Sequence, residues 1–164
     1  MTRVVINSCY GGFSLSPAAV RRMAEMDGRE CYFFRHVWDG AHVDFKRYQQ
    51  ITEEEATGSG FWYAFDIPNP GEVLVATKDW HAMTNEEKNE HNALYARHSL
   101  DNREIPRDDP RLIQVVEELG ADHRSGASGA CANLTIVEVP DDVEWEIQEY
   151  DGNEWVAEKH RTWS

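Results

Sequence analysis

A chain of 164 residues with 41% apolar side chains, and six each of Trp, Tyr and Phe, is long enough to bury a core without staples. Its formal charge of −14 opposes nucleic acid and anionic membrane over most of the surface, leaving basic protein surfaces or a small ligand in a local basic pocket. Three widely spaced cysteines (Cys9, Cys31 and Cys131) form no CxxC pair, which argues against a disulfide framework or zinc–cysteine site and suits a reducing compartment. No apolar run reaches the roughly 18 residues of a membrane span, and the first residues read as a strand rather than a signal peptide.

Residues 3 to 8 alternate as a strand, which Gly11 and Gly12 break. Ser16 as N-cap and Pro17 at the first helical position open a helix that Gly28 stops. Cys31 to Val37 is aromatic and β-branched, hence a strand, and residues 38 to 60 read as mixed, ending in a loop. Strands are expected at Phe61 to Ile67 and Glu72 to Thr77, around a turn at Pro68 to Gly71. Thr84 and Glu87 form a capping box for a polar surface helix running to about His98. Asp109-Pro110 opens a helix that Gly120 closes, and three consecutive strands follow, at Asn133 to Val139, Val143 to Glu149 and Glu154 to Arg161. The expected fold is α+β: an antiparallel sheet with an N-terminal strand–helix unit and a C-terminal three-strand meander, in one domain of residues 1–164.

Asp151-Gly152 signals a type I′ hairpin turn, because both positions need positive φ. Taken literally, the turn pairs Ile147 with Val156, Gln148 with Trp155, and Glu144 with Lys159. Val143, Trp145, Ile147 and Val156 then share one face. Asp142, Glu144, Glu146, Trp155, Lys159, Arg161 and Trp163 share the other, where indole and guanidinium suit a nucleotide base and phosphate.

Several motifs carry weaker chemistry. Gly11, Gly12, Phe13 and Ser14 lie between a strand and a helix start, a place where backbone N–H groups can meet an anion, with Arg21 and Arg22 nearby. Cys9 on that loop lacks a C-x5-R pattern and reads as structural. Glu87, His91 and His98 form a helix stripe, with His81 outside it, whose spacing favours a polar surface over a metal site. His123-Arg124 lies on a glycine-rich loop, and the acidic run from Glu138 to Asp151 reads as a solvated face or a mimic of DNA.

Three stretches, Cys9 to Ser16 (CYGGFSLS), Ile105 to Gly120 (IPRDDP, then VVEELG) and Ile136 to Trp163 (IVEVPDDVEWEI, EYDG, EKHRTW), resemble a family of small proteins encoded in tailed-bacteriophage genomes. The likeness covers residues 1 to about 35 and 104 to 164, making about 38–103 an insertion. It implies a phage accessory protein in the cytoplasm of an infected bacterial host. Such proteins often counter host defence, some by sequestering nucleotide signals without cleaving them. The expectation is a non-enzymatic protein binding a small anionic nucleotide-like ligand through Gly11, Gly12, Phe13, Ser14, Arg107, Arg161 and Trp163, at a subunit interface of a homo-oligomer. No cofactor, metal, membrane or direct nucleic-acid partner is expected. The alternatives are an acidic protein blocking a host factor and, last, a hydrolase using His36 or His160 with a carboxylate.

Overall fold

A computed structural model describes residues 1–58, 60–100, 104–122, 126–161 and 163. The chain is α+β with antiparallel sheets, and it divides into two compact units: Met1–Met26 with Asn102–Ser164, and Asp27–Asp101. The strand following the first helix therefore belongs to the central unit, which starts at Asp27.

The terminal unit starts with β1 (Thr2–Asn7) and α1 (Pro17–Met26). Ser16 caps α1, its Oγ accepting from the Ala19 N–H and donating to the Gly126 carbonyl. Ala19, Val20, Met23 and Ala24 form the buried stripe.

The central unit contributes β2 (Tyr32–Trp38), β3 (Val43–Ile51), α2 (Glu53–Gly58), β4 (Tyr63–Phe65), α3 (Pro70–Val73), a 3₁₀ turn at Trp80–Ala82 and α4 (Asn85–His98). Its sheet order is β3-β2-β4. Phe34, Phe65 and Leu74 form its core, with Tyr48, Leu94 and Tyr95 packed around them. Both edges are covered. Gly71 of α3 lies against Lys46 and Tyr48 of β3, while the Leu100 N–H donates to Ala64 O and the Asp66 N–H to His98 O beside β4.

Four expectations change here. Residues 43–51 and 53–58 form a strand and a short helix inside the stretch read as mixed. β4 has only three residues, and α3 replaces the start of the strand expected from Glu72, because Pro70 sits where a helix begins. The Thr84–Glu87 capping box and the exposed helix after it are present as read.

The terminal unit resumes with α5 (Pro110–Leu119), β5 (Leu134–Val139), β6 (Trp145–Tyr150) and β7 (Asn153–Glu158). Asp109 caps α5, and Gly120 ends it at φ 77°. The last three strands are not one meander: β5 pairs antiparallel with β1, Val5 opposite Ile136, while β6 and β7 form a separate hairpin. The β1–β5 register sets Val137 and Val139 on the same face as Val4 and Ile6, so this pairing builds the apolar surface on which the hairpin docks. Helices α1 and α5 pack together, and α5 lies on the β1–β5 ladder. On the ladder's other side Val4, Ile6, Val137 and Val139 meet Val143, Trp145, Ile147 and Val156 of the hairpin segment.

Candidate functional site: the docked hairpin

The hairpin register is the one its turn dictates. Asp151 (φ 48°) and Gly152 (φ 84°) adopt the positive φ of a type I′ turn. Ile147 faces Val156, Gln148 faces Trp155, and the Lys159 N–H donates to Glu144 O at 2.8 Å. The period-two pleat then separates two functions. Val143, Trp145, Ile147 and Val156 are the docking face.

That docking face is anchored by a polar knot. Glu154 accepts two bonds from Arg107, at 2.8 and 2.8 Å, and one from the Asn7 N–H at 2.8 Å. The Val5 N–H, two residues back, donates to Arg107 O at 2.8 Å. The edge of β1 that faces away from β5 is thus satisfied by a carboxylate and a carbonyl rather than left open. The Arg107 guanidinium also lies over the Phe13 ring, its Cζ 3.5 Å from the centroid. Asn7, fully buried, donates to Cys9 O at 2.8 Å and Gly152 O at 2.7 Å, and accepts from the Asn133 N–H at 2.8 Å.

The glycine turn is the socket for the hairpin tip. The Gly11 N–H donates to Asp151 O at 3.3 Å. A Cβ on Gly152 would lie 2.2 Å from the Gly12 nitrogen, and one on Gly11 would lie 2.5 Å from Cys131 O. Ser14 packs against Gly129, whose N–H donates to Ser14 O at 2.9 Å.

Of the residues expected to form one pocket, Gly11 and Gly12 meet the hairpin tip, Phe13 lies against the Arg107 guanidinium, and Ser14 packs against Gly129 instead. The charge of Arg107 is matched by Glu154. Arg161 and Trp163 are exposed, and among the described residues no hydrogen bond, ion pair or ring contact joins them to the glycine turn. Arg21 pairs with Glu25, and Arg22 with Glu118 and Glu25. His123-Arg124 lies outside the described residues.

The outward face carries Glu146, Gln148 and Tyr150 from β6 with Glu144 just before it, and Asn153, Trp155 and Ala157 from β7 with Lys159 just after it. A chain of side-chain bonds orders it: Trp155 Nε1 donates to Gln148 Oε1 at 3.2 Å, and Gln148 Nε2 donates to Glu146 Oε1 at 2.9 Å. Tyr150 is 71% exposed and Trp155 43%. Glu149 does not belong to this strip, since its carboxylate caps the turn at the Gly152 N–H, 2.8 Å away.

The central unit has its own polar cluster. Asp66 accepts from Arg29 Nη2 at 2.8 Å and sits 2.8 Å from His98 Nδ1. Burial works to raise the Asp66 pKa, but the bonds from Arg29 and His98 outweigh it and hold the carboxyl below its ordinary range. Arg29 also donates to Arg97 O at 2.9 Å, tying the end of α4 to the end of β4. His36 lies among Phe45, Tyr48 and Tyr63, with ring centroids 5.2, 4.6 and 4.7 Å away. Burial pushes the Tyr48 hydroxyl up to about 12. The histidine stripe of α4 is dispersed. Glu87 binds Lys78, His91 meets Trp80, and His98 faces Asp66; no group of three metal-ligating side chains occurs among the described residues. No described helix is long and apolar enough to cross a membrane.

Asn7 and Glu154 were not singled out by sequence. Glu154 is one of 30 acidic residues, and only the hairpin register, which places it on the docking face beside Val156, distinguishes it. Scans against protein-family models, curated proteins and solved structures return no match.

Proposed function

We propose that this chain is a binding protein whose outward hairpin face engages a basic protein surface without catalysis. The observation that carries this reading is the ordered strip Trp155–Gln148–Glu146, held in place by side-chain bonds while the opposite face is occupied by the core. Exposed Trp and Tyr are the side chains that anchor protein interfaces, because each brings a large rigid surface at low entropy cost. Here Trp155 and Tyr150 sit within a segment, 138–161, that holds nine carboxylates against two Lys or Arg. That field steers a basic partner and repels acidic ones. The resemblance to phage accessory proteins supplies the setting: a host factor in the bacterial cytoplasm.

The test is affinity capture from bacterial cells, identification of the partner, and calorimetry with that partner purified. Glu144→Lys with Glu146→Lys, and separately Trp155→Ala, should each weaken binding at least about tenfold, or roughly 1.4 kcal/mol. Unchanged affinity in all three substitutions would overturn the reading.

A second reading keeps the nucleotide-type ligand. It is favoured by Trp163, 89% exposed, two residues from the exposed Arg161: an indole and a guanidinium available for stacking and phosphate. It predicts a thermal shift with cyclic ADP-ribose isomers that Arg161→Ala removes, and release of the ligand unaltered. No shift across a broad nucleotide panel excludes it.

A further inference from the structure

We propose that Cys9 and Cys131 are a redox-sensitive thiol pair that closes to a disulfide and pins the socket of the hairpin. The β1–β5 ladder continues past Asn7 and Leu134, the Ser8 N–H donating to Asn133 O at 2.8 Å. The next residues on the two chains are Cys9 and Tyr10 on one side, Ala132 and Cys131 on the other. Cys9 Sγ donates to the Cys131 carbonyl oxygen at 3.0 Å, so the first thiol reaches the backbone of the second cysteine. Cys131 also lies against the backbone two residues beyond Cys9: a Cβ on Gly11 would sit 2.8 Å from Cys131 Cβ. Cys131 is exposed and Cys9 half-buried, so an oxidant reaches the first and the second is shielded beside it. None of the three cysteines is in a disulfide in this structure.

The chemistry balances with a peroxide as the oxidant. The Cys131 thiolate attacks one peroxide oxygen, breaking the O–O bond, and becomes a sulfenic acid while hydroxide leaves and takes up a proton. Cys9 sulfur then attacks the sulfenic sulfur; the S–O bond breaks, a second water departs, and the S–S bond forms. Two sulfurs lose one electron each, and the peroxide gains two. The crosslink joins the loop leading to Gly11–Gly12 to the strand entry at Cys131, the two segments that flank the hairpin tip.

The experiment treats the full-length chain with hydrogen peroxide, then counts thiols and maps peptides without reduction. The expected result is loss of two of the three thiols, a Cys9–Cys131 linked peptide, and its removal by dithiothreitol. Cys31→Ser should leave the crosslink intact, and Cys131→Ser should abolish it. Proximity should also make the linkage roughly tenfold or more faster in the folded chain than in urea, as an effective-concentration effect. A linkage involving Cys31, equal rates in folded and unfolded chains, or Cys131 oxidised to sulfinic acid with Cys9 untouched would overturn the proposal.

Discussion

Arg107 and Glu154 meet through two 2.8 Å bonds, with side chains only 16% and 9% exposed. The pair joins the segment that enters α5 to the strand that ends the hairpin. Its worth lies less in net attraction than in what would remain if one partner left: a buried, uncompensated charge. Arg107→Ala is therefore expected to cost about 3–5 kcal/mol in urea unfolding. Glu154→Gln keeps an acceptor for the Asn7 N–H and should cost less than Glu154→Leu, which orphans that donor as well. Equal losses for the two would show that the Asn7 bond contributes nothing.

The socket glycines differ in what a side chain would meet. Gly152→Ala places a Cβ 2.2 Å from backbone at Gly12, and Gly11→Ala places one 2.5 Å from Cys131 O. A Cβ added to Gly12 (φ 88°) would point into open space, so only the conformational cost of about 1–2 kcal/mol applies. Thermal melts should rank Gly12→Ala as the mildest of the three, with Gly152→Ala losing at least about 2 kcal/mol. A Gly152→Ala variant as stable as the parent would contradict the docked position of the turn.

Opposite faces of the hairpin should respond oppositely. Trp145 packs on Val4, Ile6 and Val139, and Trp145→Ala should cost about 3–5 kcal/mol of stability. Trp155 contributes no such packing, so Trp155→Ala should change the melting free energy by less than about 1 kcal/mol. Circular dichroism melts of the two variants settle this: equal losses would contradict the division into two faces, and a larger loss at Trp155 than at Trp145 would mean that the register is slipped by one residue.

In the central unit, Asp66 has a lowered pKa in the folded state and an ordinary value near 3.8 when unfolded. A carboxyl of this kind adds stability above its unfolded pKa and loses it as pH falls through the folded value. The acid limb below about pH 4 should therefore flatten in Asp66→Asn, with about 1–3 kcal/mol lost at neutral pH from the bonds to Arg29 and His98. Acid titration followed by tryptophan fluorescence measures this, and an acid limb identical to the parent's would remove Asp66 from the account.

Local rules reached the features that are locally encoded. Ser16, Thr84 with Glu87, and Asp109 with Gly120 mark helix ends through single side chains, and Asp151-Gly152 sets the whole hairpin register through two φ angles. Partners distant in the chain were not legible. Nothing beside Glu154 announces Arg107, 47 residues away, or the Asn7 amide, 147 away. The glycine turn shows the same limit from the other side. Its positive φ values were foreseeable, but whether its N–H groups face a ligand or the hairpin tip depends on where β7 docks. β3 escaped because Lys46, Arg47, Gln49 and Gln50 dilute its alternation, and its pairing with β2 supplies what periodicity does not.

The most direct test of the outward face as a binding surface is calorimetry with the captured and purified partner, comparing two charge reversals of equal size. Glu144→Lys with Glu146→Lys on the hairpin should weaken binding at least about tenfold, while Glu53→Lys with Glu54→Lys on α2 of the central unit should leave it within about twofold, roughly 0.4 kcal/mol. Equal weakening by both pairs would reduce the effect to net charge, and no weakening by the hairpin pair would contradict the account.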